Sequence, residues 1–173
     1  LPNADLQAAD LGEFLREQMP RLQSEQVMQG VSLQLDVCDG EVPVELDRTM
    51  FYRALVNLTG NAAQAARQAG GQRVNVNVTR QDGAMRLRVE DDGQGVSEQM
   101  QAQIFEPYVT GKADGTGLGL TIVKKIILDH GGTIHVSRSK QLGGACFELT
   151  IPARGTDASA IALTQSAEAA IKA

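Results

Sequence analysis

Aromatic residues are scarce in this chain, at 3% with no Trp, so a core must be built from Val, Leu, Ile and Ala. Cysteine is nearly absent, with only Cys38 and Cys146, both in strand-like runs. Two thiols in a chain this long exclude a disulfide framework and read as reduced core residues. Histidine is limited to His130 and His135, so no cluster of Cys and His exists to hold zinc. No apolar run approaches a membrane span, and no secretory leader is visible. A net charge of −5 excludes a general nucleic-acid binder, which needs a basic face. The same charge is no obstacle to a nucleotide whose phosphates travel with Mg²⁺.

What remains is a globular composition, 42% hydrophobic and 21% charged over 173 residues, enough for one domain. Residues 1–9 read as a linker, 10–153 as the folded domain, and 154–173, rich in Ala, Ser and Thr, as a flexible tail. The chain opens at Leu1-Pro2 without Met, which suggests a piece of a longer parent. Asp10 with Glu13 caps a helix carrying Leu11, Phe14, Leu15 and Met19, which Pro20 should break or kink. Val31 to Val37 alternates as a strand, and Val42 to Leu46 is a second, shorter one. Asp47 caps a long helix over 48–68 with Phe51, Leu55, Leu58, Ala62 and Ala65 as its apolar stripe. Strands around Val74–Val78 and Met85–Val89 form a hairpin through Gln81-Asp82-Gly83. A short helix from Ser97, a helix over about 117–129, and strands near 133–139 and 144–151 complete the pattern. The expected architecture is an α/β (α+β) two-layer sandwich. Its mixed, mostly antiparallel sheet has about five strands, covered on one face by three helices.

The stretch from Asp91 to Leu120 carries the chemistry. Asp91-Asp92-Gly93-Gln94-Gly95 follows a strand, and Gly115-Thr116-Gly117-Leu118-Gly119-Leu120 opens a helix. Glycine permits close backbone approach, and a helix N-terminus offers free N–H groups and partial positive charge to phosphate. A carboxylate at the other cluster accepts from an amine. One end for phosphate and one for an amine point to an adenine nucleotide. The long helix adds Asn57, Asn61 and Gln64 on one face, although Asn is a poor helix former. A P-loop is excluded, because Gly111-Lys112 is followed by Ala113 with no glycine at the required place before it. The G-x-G-x-G run is not a dinucleotide fingerprint and follows a loop instead of a strand. No HRD or DFG signature is present.

Four blocks occur in order: Asn57-Leu58-x-x-Asn61-Ala62, Asp91-x-Gly93-x-Gly95, Phe105-x-Pro107-Tyr108, and Gly115-Thr116-Gly117-Leu118-Gly119-Leu120. Together they resemble the N, G1, F and G2 boxes of the ATP-binding catalytic domain of bacterial sensor histidine kinases. Those kinases lie within the superfamily shared with gyrase, Hsp90 and MutL. The resemblance runs from about Val31 to Pro152, and its wording is most like nitrogen-regulation kinases of the NtrY/NtrB type. It implies a Bergerat-type fold that binds ATP and Mg²⁺. By the same resemblance, Asp91 accepts the adenine amine while Gly93, Gly95 and Val96 line the base. Asn61 binds Mg²⁺, with Asn57 assisting, and Gly115, Thr116, Gly117, Leu118 and Gly119 serve the phosphates.

The resemblance makes the loop from Val109 to Asp114, with Thr110 and Lys112, a lid anchored by Phe105 and Tyr108. Many relatives carry a basic residue where Gln64 stands, so Lys112 is the candidate for the γ-phosphate. Where the gyrase-like ATPases place a catalytic Glu, this chain has Asn57, which is no general base and favours phosphoryl transfer over hydrolysis. Neither His130 nor His135 has the context of a phosphoacceptor. The implied partners are therefore a histidine-bearing dimerisation domain of the same parent and a downstream response regulator, with no nucleic acid. The parent is expected to be a homodimer, either free or anchored in the inner membrane, and this piece a cytoplasmic monomer. An anti-sigma-type serine kinase and a non-catalytic nucleotide-sensing module are the alternative readings.

Overall fold

The computed structural model describes residues 3–109 and 117–154; of the tail expected at 154–173 and the lid expected at 109–114, all but Arg154 and Val109 lie outside them. A first strand, β1 (Gln7–Asp10), leads into α1 (Leu11–Ser24). Asp10 starts the helix by accepting the Glu13 N–H at 2.7 Å. Pro20 does not end it, and a short 3₁₀ turn follows at Gln26–Met28. Pro20 and Arg16, whose carbonyl loses its helical donor, are both exposed, so water can supply the missing bond. After β2 (Ser32–Val37) comes β3 (Pro43–Leu46), which pairs antiparallel with β1 as a separate two-stranded sheet. Residues 7–9, read from sequence as linker, thus join a strand. Gln-Ala-Ala has no strand signature, and only the partner orders it.

Helix α2 (Arg48–Gln68) has the expected bounds, with Asp47 accepting the Met50 N–H at 3.0 Å. Phe51, Leu55, Leu58 and Ala62 are buried along its inner stripe. Strands β4 (Arg73–Gln81) and β5 (Ala84–Asp91) follow as a hairpin. Its two turn residues, Asp82 and Gly83, both have positive φ, at 50° and 74°. That is the twist a two-residue hairpin loop needs. The remaining elements are α3 (Glu98–Gln101), α4 (Gly119–Asp129), β6 (Thr133–Arg138) and β7 (Ala145–Pro152).

The main sheet has the order β2-β4-β5-β7-β6, with β2 parallel to β4 and the other pairs antiparallel. Val74, Val76, Val78, Leu87, Val89, Phe147 and Leu149 point to the helices and are buried. The opposite face carries polar residues, among them Arg86 and Arg88, both paired with Glu148. One apolar face covered by α1, α2 and α4 gives the two-layer arrangement expected from the alternation. Cys146 is a buried free thiol that burial pushes up to about 11, and Cys38 is free as well.

His130 joins two helices. Its Nδ1–H donates to the Ile126 carbonyl at 2.7 Å, and its Nε2 accepts the Asp47 N–H at 3.0 Å. The ring lies 5.6 Å from Phe51, tilted by 57°. The end of α4 is thereby fixed to the start of α2. His130→Leu keeps the volume but orphans the Asp47 N–H, so it should cost about 1–3 kcal/mol of unfolding free energy by urea denaturation. An unchanged midpoint would remove His130 from this role.

Candidate functional site

Asp91 is the last residue of β5 and is 1% exposed. Its Oδ1 accepts two backbone N–H groups, from Gly93 at 2.8 Å and Ala145 at 3.1 Å. Its Oδ2 is buried and has no hydrogen-bond partner. Burial raises the Asp91 pKa above the ordinary carboxylate value, although the two N–H groups oppose the shift. Buried acceptors are normally paired, so an orphan carboxylate oxygen marks a place prepared for a donor.

The neighbouring carboxylate does something else. Asp92 accepts the N–H groups of Gln72 at 3.1 Å and Arg73 at 3.0 Å and pairs with the Arg73 guanidinium. Burial works to raise its pKa, but those backbone and guanidinium partners outweigh it and hold it below the usual range. Asp92 therefore secures the start of β4, and of the two carboxylates Asp91 is the one that keeps a buried oxygen without a partner.

Packing around the glycines maps the rest. A Cβ on Gly93 would lie 2.8 Å from the Ala65 carbonyl group on α2. One on Gly119 would lie 2.8 Å from Asn57 Oδ1. Helix α2 is thus a rail, with Ala65 against the Asp91 loop and Asn57 against the start of α4. Eight residues separate these points, about 12 Å along the axis. Asn61 lies midway on the same face, half-buried like Asn57 and Gln64. Asn57 Nδ2 donates to the Arg53 carbonyl at 2.9 Å, which turns Oδ1 toward α4.

The α4 N-terminus has no side-chain cap. Its Gly117 has φ of 66°, and a Cβ there would meet the Tyr108 carbonyl carbon at 2.6 Å. The Tyr108 N–H donates to the Gly117 carbonyl at 3.1 Å, and Thr121 Oγ1 donates to the Phe105 carbonyl at 3.2 Å. The two ends of the loop over 110–116 are therefore tied together. Phe105 packs edge-on against Phe147 at 6.3 Å, as an anchor should. Tyr108 does not pack: its ring is 77% exposed, and its φ of 64° is unusual for a side-chain-bearing residue. Its backbone, not its ring, forms the anchor.

Two of the predicted blocks thus meet α2, through Gly93 at Ala65 and Gly119 at Asn57, while Gly117 packs on Tyr108. Gly95, with φ of 83°, and Val96, half-buried against the core, continue the Asp91 loop. Leu118 precedes α4 and is exposed at the same end. Thr110, Lys112, Gly115 and Thr116 lie outside the described residues. The sequence reading missed the β6–β7 turn, whose Ala145 N–H holds Asp91 and whose Gly144 packs on it. A Cβ on Gly144 would lie 2.2 Å from Asp91 Oδ1. The pair Gly143-Gly144 between the last two strands was the available signal.

Residues 46–155 match the family model described as histidine kinase-, DNA gyrase B- and HSP90-like ATPase. The chain is 33% identical over 147 residues to the sensor histidine kinase ZraS of Escherichia coli K12, covering 85% of this chain and 31% of that protein. It is 36% identical over 131 residues to the nitrogen regulation protein NtrY of Azorhizobium caulinodans, covering 70% of this chain and 17% of that protein. The chain thus spans a third or less of these relatives. The catalytic domain of histidine kinase ThkA superposes with a TM-score of 0.73 at 28% identity, covering 86% of this chain and 95% of that one.

The orphaned Oδ2 has a consequence for stability. A carboxylate whose pKa is raised by folding contributes stability at acid pH that is lost as pH rises through its folded value. At neutral pH the ionised Asp91 is a cost. Asp91→Asn keeps the oxygen that receives both N–H groups, so without ligand it should melt at or above the wild-type temperature at pH 7. A fall of several degrees by calorimetry would mean that the charge is compensated in the free domain.

Proposed function

Given that the chain belongs to the histidine kinase-, DNA gyrase B- and HSP90-like ATPase family, we propose that it presents Mg-ATP for phosphoryl transfer to a histidine. The observation that carries this reading is the buried, unpartnered Oδ2 of Asp91 at one end of a rail whose other end is an uncapped helix N-terminus. The exocyclic amine of adenine donates to Asp91 Oδ2. Guanine carries a carbonyl there and is rejected, because two acceptors would face each other. Gly93, Gly95 and Val96 line the base. The N–H groups at Gly117, Leu118 and Gly119 receive the phosphates, where the dipole of α4 favours negative charge. Thr110, Lys112, Gly115 and Thr116 complete that end, with Lys112 or Gln64 toward the γ-phosphate.

Among the described residues no three His, Cys, Asp or Glu side chains could hold a metal together. The amide oxygens of Asn61 and Asn57 fit a hard cation that is otherwise satisfied by water and phosphate, which is how Mg²⁺ is usually held. Bound there, Mg²⁺ neutralises phosphate charge. The protein orients the γ-phosphoryl and excludes water from it. Asn57 supplies no base for hydrolysis, which favours transfer to another group.

The acceptor histidine lies on a dimerisation domain of the parent, and a response regulator takes the phosphoryl group onward. His130 is buried between two helices and cannot be that acceptor. The parent acts as a homodimer, and this domain works in the cytoplasm. No described helix is long and apolar enough to cross a membrane.

Calorimetric titration with ATP, GTP and ADP, with and without Mg²⁺, tests the site. Asp91→Asn should weaken ATP binding by about 1–3 kcal/mol, since an amide donor then meets the amine. Equal affinity would remove Asp91 from the site. Asn61→Ala should lose affinity when Mg²⁺ is present, and an equal loss in EDTA would contradict a metal role. Adenine donation favours the ionised carboxylate, so ATP affinity should fall on acidification through the raised Asp91 range. The wild type should show this fall and Asp91→Asn should not; parallel profiles would exclude it. Transfer is tested by adding a separately expressed histidine-bearing domain with labelled ATP. Absence of phosphohistidine at saturating Mg-ATP would favour a nucleotide-sensing module.

A further inference from the structure

The hydrogen bonds that hold Asp91 trace back to a buried pair outside the four boxes. Ser139, 3% exposed, follows β6, and Glu90, 4% exposed, precedes Asp91 on β5. Ser139 Oγ donates to Glu90 Oε1 at 2.7 Å and accepts the Leu142 N–H at 2.9 Å. The Ser139 N–H donates to the Gly144 carbonyl at 2.8 Å, and the Gly143 N–H to the Ser139 carbonyl at 3.1 Å. The Gly144 N–H then reaches the Asp91 carbonyl at 3.1 Å, and the next amide, Ala145, reaches Asp91 Oδ1. One hydroxyl therefore closes the β6–β7 turn and ties it to the strand that bears Asp91.

We propose that the Ser139–Glu90 hydrogen bond is a positioning latch for base recognition. It fixes the β6–β7 turn so that the Ala145 N–H holds Asp91 with Oδ2 toward the base. The contact is specific to that rotamer. The carboxylate has two backbone donors on one oxygen and none on the other, and Ala145 supplies the donor that comes from across the sheet. Without the latch the Ala145 donor is placed only by the backbone pairing of β5 with β7 and the Gly144 N–H on the Asp91 carbonyl, and Gly93 is the remaining local donor. The turn also walls the pocket, since a Cβ on Gly95 would meet the Gly144 carbonyl oxygen at 3.4 Å. Neither Ser139 nor Glu90 touches the nucleotide in this reading; both act through Asp91.

The inference rests on the adenine reading of Asp91, and the test separates the two. Affinities for Mg-ATP, Mg-ADP and Mg-GTP are measured on wild type, Ser139→Ala, Glu90→Met and Glu90→Gln, by competition with a fluorescent nucleotide. Ser139→Ala and Glu90→Met should each weaken ATP and ADP alike, by about tenfold, the cost of one ill-placed hydrogen bond. Neither should change GTP, so adenine preference shrinks. Glu90→Gln retains an acceptor oxygen and should restore the preference. Amide exchange at Ala145 should accelerate in the two broken-latch variants. Glu90→Met substitutes an apolar side chain of similar length, so the test stands even where Ser139→Ala folds poorly. A wild type that does not prefer ATP to GTP overturns the adenine reading and the latch with it. A discriminating wild type whose preference survives both latch variants, or variants that lose ATP and GTP equally, overturns the latch alone.

Discussion

A carboxylate with one oxygen spoken for and the other left empty organises this molecule. Two backbone amides converge on Asp91 Oδ1 from opposite directions, one from the loop it begins and one from a strand 54 residues later. The second oxygen is buried without compensation, which the free domain bears as a desolvated charge. Stability alone gives no reason to bury that charge, and a ligand's donor would complete it, a stability–function trade-off of the kind active sites show.

The rest of the fold supplies a frame of the right length around that group. Helix α4 lies beside α2 and is fixed at both ends, with Gly119 against Asn57 and His130 against Asp47. The N-terminus of α4 is therefore fixed relative to the helix that carries Asn57 and Asn61. At the other end of α2, Gly93 seats on the Ala65 backbone, and Asp92 ties the Asp91 loop to the start of β4. Both ends of the pocket are thus referred to one helix, and the distance between them is set by its rise. Tyr108 and Gly117 are held together by a backbone hydrogen bond and a tight glycine contact.

Much of this was legible because the relevant physics is local. Caps at Asp10, Asp47 and Ser97 announce helix starts through a side chain three residues from the amide it binds. Period-two alternation fixed β2, β4 and β5, and the Asp82-Gly83 turn fixed the hairpin register that leaves Asp91 at a strand end. The four glycine and amide blocks carried the family resemblance, which the match over residues 46–155 bears out. Pro20 leaves the helix unbroken, because its effect depends on whether the orphaned carbonyl faces water, which periodicity does not report. Residues 7–9 misled because their strand exists only through β3.

Sequence by itself determined the helices, the alternation, the separation of the two glycine clusters and the chemistry each cluster can perform, since all depend on residues close in the chain. Tertiary structure alone showed how the two adjacent carboxylates divide, with Asp92 bound to the backbone of β4 and Asp91 Oδ2 buried without a partner. It alone placed Ala145 on Asp91, His130 between two helices, and the Tyr108 ring in solvent. Each of these turns on contacts between segments distant in the chain, where the decisive quantity is the burial of a polar group and the partner that answers it.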